Sequence, residues 1–176
     1  LKKSHFSRFL NRHFNILARK YFPADQSEHK PSLYTVPEFY LCHTQPSQNT
    51  ELMLRTMEAL LIRIAHYIDE HEVPLVFALA PSVIQVEDKL WKTTVLNNSE
   101  EPNSYKRSLP NDKLMYFAEK NNLSMIDLLP ILQSKCNNEN PCYNPREVHW
   151  NDEGNRVVGH ALIDFLKAKK LFKDIQ

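Results

Sequence analysis

Glycine is almost absent from this sequence of 176 residues, which contains only Gly154 and Gly159. A protein of this length has about 12 glycines on average. Dinucleotide-binding fingerprints, phosphate-binding P-loops and the nucleophile elbows of α/β-hydrolases each need two or three glycines within a few residues, because the backbone must turn sharply or approach a ligand closely. The sequence therefore excludes all three kinds of site.

Cysteines and long apolar runs are also few. Three cysteines cannot form a four-thiolate zinc site or a disulfide-dense scaffold. The longest uncharged stretch in the middle of the chain covers residues 73–86 and contains two prolines, whereas a helix that crosses a bilayer needs roughly 20 apolar residues. His43, His149 and His160 lack the spacing of metal ligands. We therefore expect no transmembrane segment, no metal site and no cofactor.

Charge is unevenly distributed along the chain. Residues 1–22 contain six basic residues and no acidic one, whereas the remainder contains 16 basic and 21 acidic residues. Apolar side chains recur at helical spacing in the same segment, which predicts a basic amphipathic helix over 1–22. We favour an ordinary packed helix with a cationic surface over a helix that lies on an anionic membrane or acts as a mitochondrial transit peptide. No nucleic-acid-binding motif accompanies the basic residues, so we expect no nucleic-acid partner.

Length and composition predict a single domain over residues 1–176. Hydrophobic residues make up 42% of the chain and charged residues 24%, which is typical of soluble globular domains. Residues 23–49 contain four prolines and predict an extended connector, with a short strand at 39–42. The chain begins with Leu1 and its basic opening lacks the features of a secretory signal, so we expect an internal start.

Residues 50–168 have the alternating pattern of an α/β core. Helical spacing of apolar residues predicts helices, and uninterrupted apolar runs closed by a proline predict strands buried on both faces of a parallel sheet. The predicted elements, in chain order, are a helix over 51–71 capped by Asn49 or Thr50, a strand over 73–80, a helix over 110–121, a strand over 123–129 and a final helix that begins after Asn151 or Asp152. This order indicates the α/β class.

Residues 83–108 lie between the first predicted strand and the second long helix and have a mixed composition. Loops of this length in compact domains are commonly functional or disordered. This one follows the carboxyl end of a buried strand, where open α/β sheets bind ligands. We therefore expect a mobile flap at a substrate groove, in which Trp91 and Tyr105 contact the substrate.

Residues 145–154 contain the most informative motif, which reads Pro-Arg-Glu-Val-His-Trp-Asn-Asp-Glu-Gly. His149 precedes a predicted helix, and Glu147 stands two residues upstream. A general base must project from a rigid element and be oriented through its second ring nitrogen by an acceptor. His149 and Glu147 are therefore candidates for a base and its orienting acid, and the alternative is a surface histidine beside a helix cap.

The strand Ser-Met-Ile-Asp-Leu-Leu-Pro followed by Tyr-x-Pro-Arg-Glu-x-His-Trp-Asn-x-x-Gly and a terminal helix resembles the C-terminal part of the SGNH/GDSL hydrolase family. The likeness covers most of residues 50–168. It implies a flavodoxin-like three-layer α/β sandwich with a parallel sheet. It also implies that His149 activates a serine and that Glu147 takes the place of the acid, which is usually Asp in the family. Trp150, directly after the histidine, joins the candidate substrate contacts.

The other blocks of the family are missing. No serine in the chain has an adjacent glycine, and no Gly-x-Asn-Asp segment is present, so the nucleophile and two oxyanion donors have no counterpart. The chain resembles a family member that begins after its third block, and we expect it to be nearly inactive alone. The resemblance implies the C-terminal part of a serine ester hydrolase acting on O-acyl esters. The alternatives are an O-acetyltransferase acting on a polysaccharide and a non-catalytic α/β interaction module.

Cys136 and Cys142 flank a loop rich in asparagine next to the histidine segment. Their short spacing allows a disulfide, and the alternative is two reduced thiols. A disulfide would imply an oxidising compartment, and the family resemblance implies a periplasmic or secreted location.

Overall fold

The structure is a computed structural model whose described residues are 37–98, 101–137, 139–144 and 148–171. All of them belong to the compact unit Tyr34–Gln176. The helix predicted over 1–22 and the first part of the connector predicted over 23–49 lie outside the described residues.

Helices predominate in the described part of the chain. The elements are α1 (Gln48–Asp69), β1 (Phe77–Leu79), α2 (Val83–Val86), α3 (Asp88–Asn98), α4 (Leu109–Lys120), β2 (Met125–Asp127), α5 (Leu129–Lys135) and α6 (Asp152–Ala168). Two short 3₁₀ helices accompany them, at Pro37–Cys42 and Pro102–Ser104.

The two strands form a parallel sheet between two layers of helices. Phe77 of β1 pairs with Met125 of β2. Met125 packs on one face against Leu114 of α4, with side chains of α1 at the edge of the cluster. Ile126 points to the opposite face, as neighbours in a strand do, and packs there with Leu132 of α5 and residues of α6. The described residues therefore form a mixed α/β fold that is mostly helical and contains a small parallel sheet.

Capping residues set the starts of the two longest helices. The Ser47 hydroxyl accepts a hydrogen bond from the Thr50 backbone N–H at 3.2 Å and caps α1, so the predicted caps Asn49 and Thr50 were too late in the chain. The Asn151 side chain accepts from the Gly154 N–H at 2.9 Å and caps α6. The second cap was predicted from sequence and is confirmed.

Two proline-bearing segments differ from their predicted structures. Residues 39–42 belong to the 3₁₀ helix Pro37–Cys42 rather than to a strand. The side chain of Phe39, in this helix, is buried. Pro130 follows β2, as predicted, but it also lies in the first turn of a helix, α5. The first turn of a helix tolerates proline because its N–H groups have no intrahelical partner.

Residues 83–108 do not form the loop that the sequence predicted, because α2 and α3 occupy most of this segment. The mobility of the segment and its place at a substrate groove stay predictions. Ile84 and Val95 bury their side chains against Phe39 in a cluster separate from the sheet. These helices pack against the 3₁₀ helix Pro37–Cys42. The sequence pattern did not predict this helix.

The strands are not equally buried. Met125 and Ile126 of β2 are buried, as predicted, but Ala78 at the centre of β1 is exposed. The expectation that both strands are buried on both faces is therefore wrong for β1.

Candidate active site

A network of buried polar side chains holds the carboxyl end of the sheet. Asn111 donates to the Asp127 carboxylate at 2.6 Å, and Gln85 donates to the Asn111 side-chain oxygen at 2.8 Å. The same Asp127 oxygen accepts from the Leu129 N–H at 2.9 Å. Asp127 therefore binds both Asn111 and the first turn of α5, and the network fixes the edge at which open α/β sheets bind ligands.

Gln85 also fixes the turn that follows β1. Its amide nitrogen donates to the Arg107 carbonyl at 2.9 Å, and its amide oxygen accepts from the Ser82 N–H at 3.1 Å. Gln133 donates to the Gln85 carbonyl at 2.8 Å. Gln85 thus holds the Ser82 backbone and is itself bonded to Arg107 and to Gln133 of α5.

His149 and Trp150 lie beside Tyr143 and Asn144, and we call these two paired stretches the histidine hairpin. Tyr143 and Trp150 form an antiparallel bridge, and the Asn144 N–H donates to the His149 carbonyl at 2.9 Å. The His149 side chain is exposed. A histidine in such a short, bridged hairpin has a fixed backbone and an accessible ring, which are the requirements for a general base.

The base of the hairpin is fastened to the start of α6. The Asn151 N–H donates to the Cys142 carbonyl at 3.0 Å, and the Asn151 side chain donates to the Pro141 carbonyl at 2.6 Å. A disulfide joins Cys142 to Cys136, with an S–S distance of 2.00 Å. The helix cap and the disulfide therefore hold the same short stretch of backbone.

Gly154 is needed where α6 meets this stretch. A Cβ atom at this position would lie 2.2 Å from the Cys142 carbonyl oxygen, closer than any unstrained contact. The spacing Asn-x-x-Gly at 151–154 thus has a physical cause: the asparagine caps the helix and the glycine lets its first turn approach the hairpin.

Tyr143 connects the hairpin to the sheet. Its buried hydroxyl donates to the Pro81 carbonyl at 2.8 Å. Burial raises the pKa of Tyr143 above its usual value, a hydrogen bond with Trp150 opposes the rise, and the charge of Glu87 adds to it. The phenol therefore stays protonated and keeps its donor. Through this bond the histidine hairpin is tied to the carboxyl end of β1.

The predicted substrate contacts fall into two places. Trp150 is half-buried and packs against the core beside the hairpin. Tyr105 stacks on Phe39 with ring centres 4.2 Å apart, and Trp91 meets Phe39 edge-on at 5.8 Å. Trp91 and Tyr105 therefore have a clear packing role, and their contact with a substrate stays a prediction. Glu147 lies outside the described residues.

A groove of about 680 Å³ is lined by residues of β2, α5 and α6. Ile126, Ile131 and Phe165 contribute to its apolar floor, and Arg156 and His160 lie along it. It includes no predicted catalytic or substrate-contacting residue, so we do not assign it to the candidate active site.

Sequence reasoning missed the residues that support the histidine hairpin. Tyr143 opens the motif used for the family resemblance, and its place before Pro145 could have marked it as an anchor. Gln85 and Asn111 carried no signal, because single polar residues among apolar ones look the same whether they face solvent or a buried partner.

No family model, curated protein or solved structure matches this chain. Within residues 37–98, 101–137, 139–144 and 148–171, no group of three or more His, Cys, Asp or Glu side chains is arranged to hold a metal ion. The described helices include none with the length and apolar character required to span a membrane.

Proposed function

We propose that this chain is the histidine-bearing part of an SGNH-type serine ester hydrolase that acts on O-acyl esters. In this proposal His149 is the general base, Glu147 or a backbone carbonyl orients its ring, and the serine comes from sequence outside these 176 residues. Water as the acceptor of the acyl group gives hydrolysis.

The observation that carries the proposal is the hydrogen bond from Tyr143 to the Pro81 carbonyl at 2.8 Å. It ties the hairpin of His149 to the carboxyl end of β1, and catalytic groups of open α/β sheets gather at this edge. A surface histidine beside a helix cap would not need its loop to be held by the sheet, a disulfide and a glycine contact at once.

The serine nearest in sequence to that anchor does not fit the role of nucleophile. Ser82 follows Pro81, but its hydroxyl is buried and has no hydrogen-bond partner among the described residues. A nucleophile must reach the substrate and must be within hydrogen-bond distance of its base. Ser82 is therefore not the nucleophile in this proposal.

The layered arrangement supports a flavodoxin-like three-layer α/β sandwich as the fold. Helices pack on both faces of β2, and Phe77 and Leu79 of β1 pack against helix side chains on one face. A flavodoxin-like three-layer sandwich likewise has helices on both faces of its sheet. We propose that the two strands are part of such a sheet.

A sugar hydroxyl as acyl acceptor would give an O-acetyltransferase acting on a polysaccharide with the same histidine chemistry. A non-catalytic α/β module remains the alternative if the serine does not exist.

The test compares ester hydrolysis by the protein with its full encoded sequence, including anything before Leu1, and by its His149→Ala variant. We expect His149→Ala to lower kcat/KM by roughly three or more orders of magnitude, as for loss of a triad member. His160→Ala is the matched control, because His160 is also exposed but lies on α6. Equal rates for wild type and His149→Ala would contradict the proposal and favour the binding module.

A further inference from the structure

Asn144 contacts the backbone around His149 in two ways. Its own N–H donates to the His149 carbonyl at 2.9 Å. Its side-chain amide donates to the Trp150 carbonyl at 3.2 Å and lies 3.5 Å from the His149 carbonyl. The residue is half-buried. One residue thus holds two consecutive carbonyl groups of the histidine hairpin, beginning at His149.

These two carbonyls belong to the peptide groups that directly follow the α-carbon of His149. Because a peptide group is planar, a hydrogen bond to its carbonyl limits the rotation of the whole unit. The α-carbon of His149 and the direction of its side chain are therefore restrained from the carboxyl side. The contacts through Tyr143, Asn151 and Gly154 act on other parts of the hairpin and on the start of α6.

The side-chain bond requires an asparagine at position 144. Any residue except proline could supply the backbone donor. The second donor needs an amide on a side chain that is short enough to reach the Trp150 carbonyl. Aspartate has nearly the same shape, but its carboxylate only accepts hydrogen bonds. The donor can therefore be removed without a change in side-chain size.

We infer that Asn144 is a positioning residue for His149. The inference rests on the proposed function, in which His149 is the general base. A base must lie within hydrogen-bond distance of the proton that it takes, and a displacement of about 1 Å can lower the rate about a hundredfold. The Asn144 amide holds the backbone of His149 so that the ring keeps its place.

The other role open to Asn144 is a direct contact between its amide and the substrate. The amide nitrogen is already directed at the Trp150 and His149 carbonyls, which favours the positioning role. The two roles differ in their kinetics. Loss of a substrate contact raises KM, whereas a misplaced base lowers kcat.

The test compares ester hydrolysis by the wild type, Asn144→Ala and Asn144→Asp in the protein with its full encoded sequence. We expect both variants to lower kcat by about ten- to a hundredfold and to leave KM unchanged within about twofold. Rates are compared at the alkaline plateau of the pH profile. The base is deprotonated there in every variant, so the charge of aspartate does not change the fraction of active enzyme.

Asn121→Ala is the matched control. The Asn121 amide donates to the Phe117 carbonyl at 2.8 Å at the exposed end of α4. Each alanine variant loses one side-chain bond to a backbone carbonyl, so both should lower the melting temperature by about 2 to 4 °C. Only Asn144→Ala should lower kcat. Equal losses of kcat in the two variants would trace the effect to general destabilisation and overturn the inference.

Hydrogen exchange gives a readout that does not depend on activity. The N–H of residue 144 donates to the His149 carbonyl. We expect its protection to fall about two- to tenfold in Asn144→Ala, in line with the loss of one hydrogen bond, and to stay the same in Asn121→Ala. Unchanged protection in Asn144→Ala would overturn the inference.

His149→Ala separates a failure of this inference from a failure of the proposed function. If His149→Ala is inactive while Asn144→Ala keeps the wild-type kcat or raises only KM, His149 is still the base and Asn144 does not position it. If Asn144→Asp keeps the wild-type kcat while Asn144→Ala loses it, the shape of the side chain matters rather than its donor, and the inference is wrong. If His149→Ala is as active as the wild type, the proposed function itself is wrong, and the positioning role is wrong with it.

Discussion

The histidine hairpin and helix α1 differ in how many contacts they make with the rest of the protein. At the hairpin, the Cys142 carbonyl accepts from Asn151, the Tyr143 hydroxyl donates to Pro81 and Gly154 packs directly on the backbone. Along α1, by contrast, the apolar side chains of Met53, Leu60, Ile64 and Tyr67 are exposed. The hairpin is therefore held by contacts within the protein, whereas α1 leaves part of its apolar face in solvent.

This difference bears on function because precise geometry is useful only where atoms must be placed for chemistry or recognition. The hairpin has a disulfide, a cap, a glycine contact and a tyrosine anchor within a stretch of about 20 residues. Helix α1 has one cap at Ser47 and a core face. Substitutions in the two regions should therefore have very different effects on stability.

Gly154→Ala should have the largest effect on stability. Its Cβ would lie 2.2 Å from the Cys142 carbonyl oxygen, and backbone on both sides would have to move, which costs about 3 kcal/mol at the upper end of overpacking effects. Urea unfolding followed by circular dichroism measures the change in the free energy of unfolding.

Gly159→Ala is the matched control on the same helix. A Cβ at Gly159 meets nothing within 4 Å, and alanine is the better helix former, so the variant should be more stable by about 0.5 to 1 kcal/mol. Equal effects at the two glycines would show that the hairpin is not tightly packed on α6.

Tyr143→Phe should have an intermediate effect. The ring still fills its buried site, but the Pro81 carbonyl loses its donor at 2.8 Å. A buried unsatisfied acceptor costs about 1 to 3 kcal/mol. Hydrogen exchange should also show faster opening of residues 143–150 than in the wild type. Unchanged exchange there would mean that Tyr143 does not anchor the hairpin, and would remove the main support for the proposed active site.

The sequence predicted the elements whose apolar residues pack against the sheet. Helix α4 and the cap at Asn151 were located from spacing and capping chemistry alone. Helices α2 and α3 were not, because Ile84 and Val95 pack against Phe39 from a distant 3₁₀ helix. Periodicity shows that a face is apolar but does not show what covers it.

The same limit applied to the candidate site. His149 was identifiable from its motif, since the residues of that motif are consecutive in sequence. The support of its hairpin was not, because Tyr143 and Pro81 are 62 residues apart. Long-range hydrogen bonds between single polar groups have no sequence period.

Leu60→Gln should have the smallest effect. Its side chain is 45% exposed, and surface substitutions away from special features change stability by no more than about 0.5 kcal/mol. Leu54→Ala, six residues earlier on the same helix, removes a buried side chain and should cost about 2 kcal/mol or more. Urea unfolding of both variants at the same low concentration makes the measurement. If Leu60→Gln destabilises the protein as much as Leu54→Ala does, the Leu60 side chain belongs to the core, and the contrast between the hairpin and α1 no longer holds.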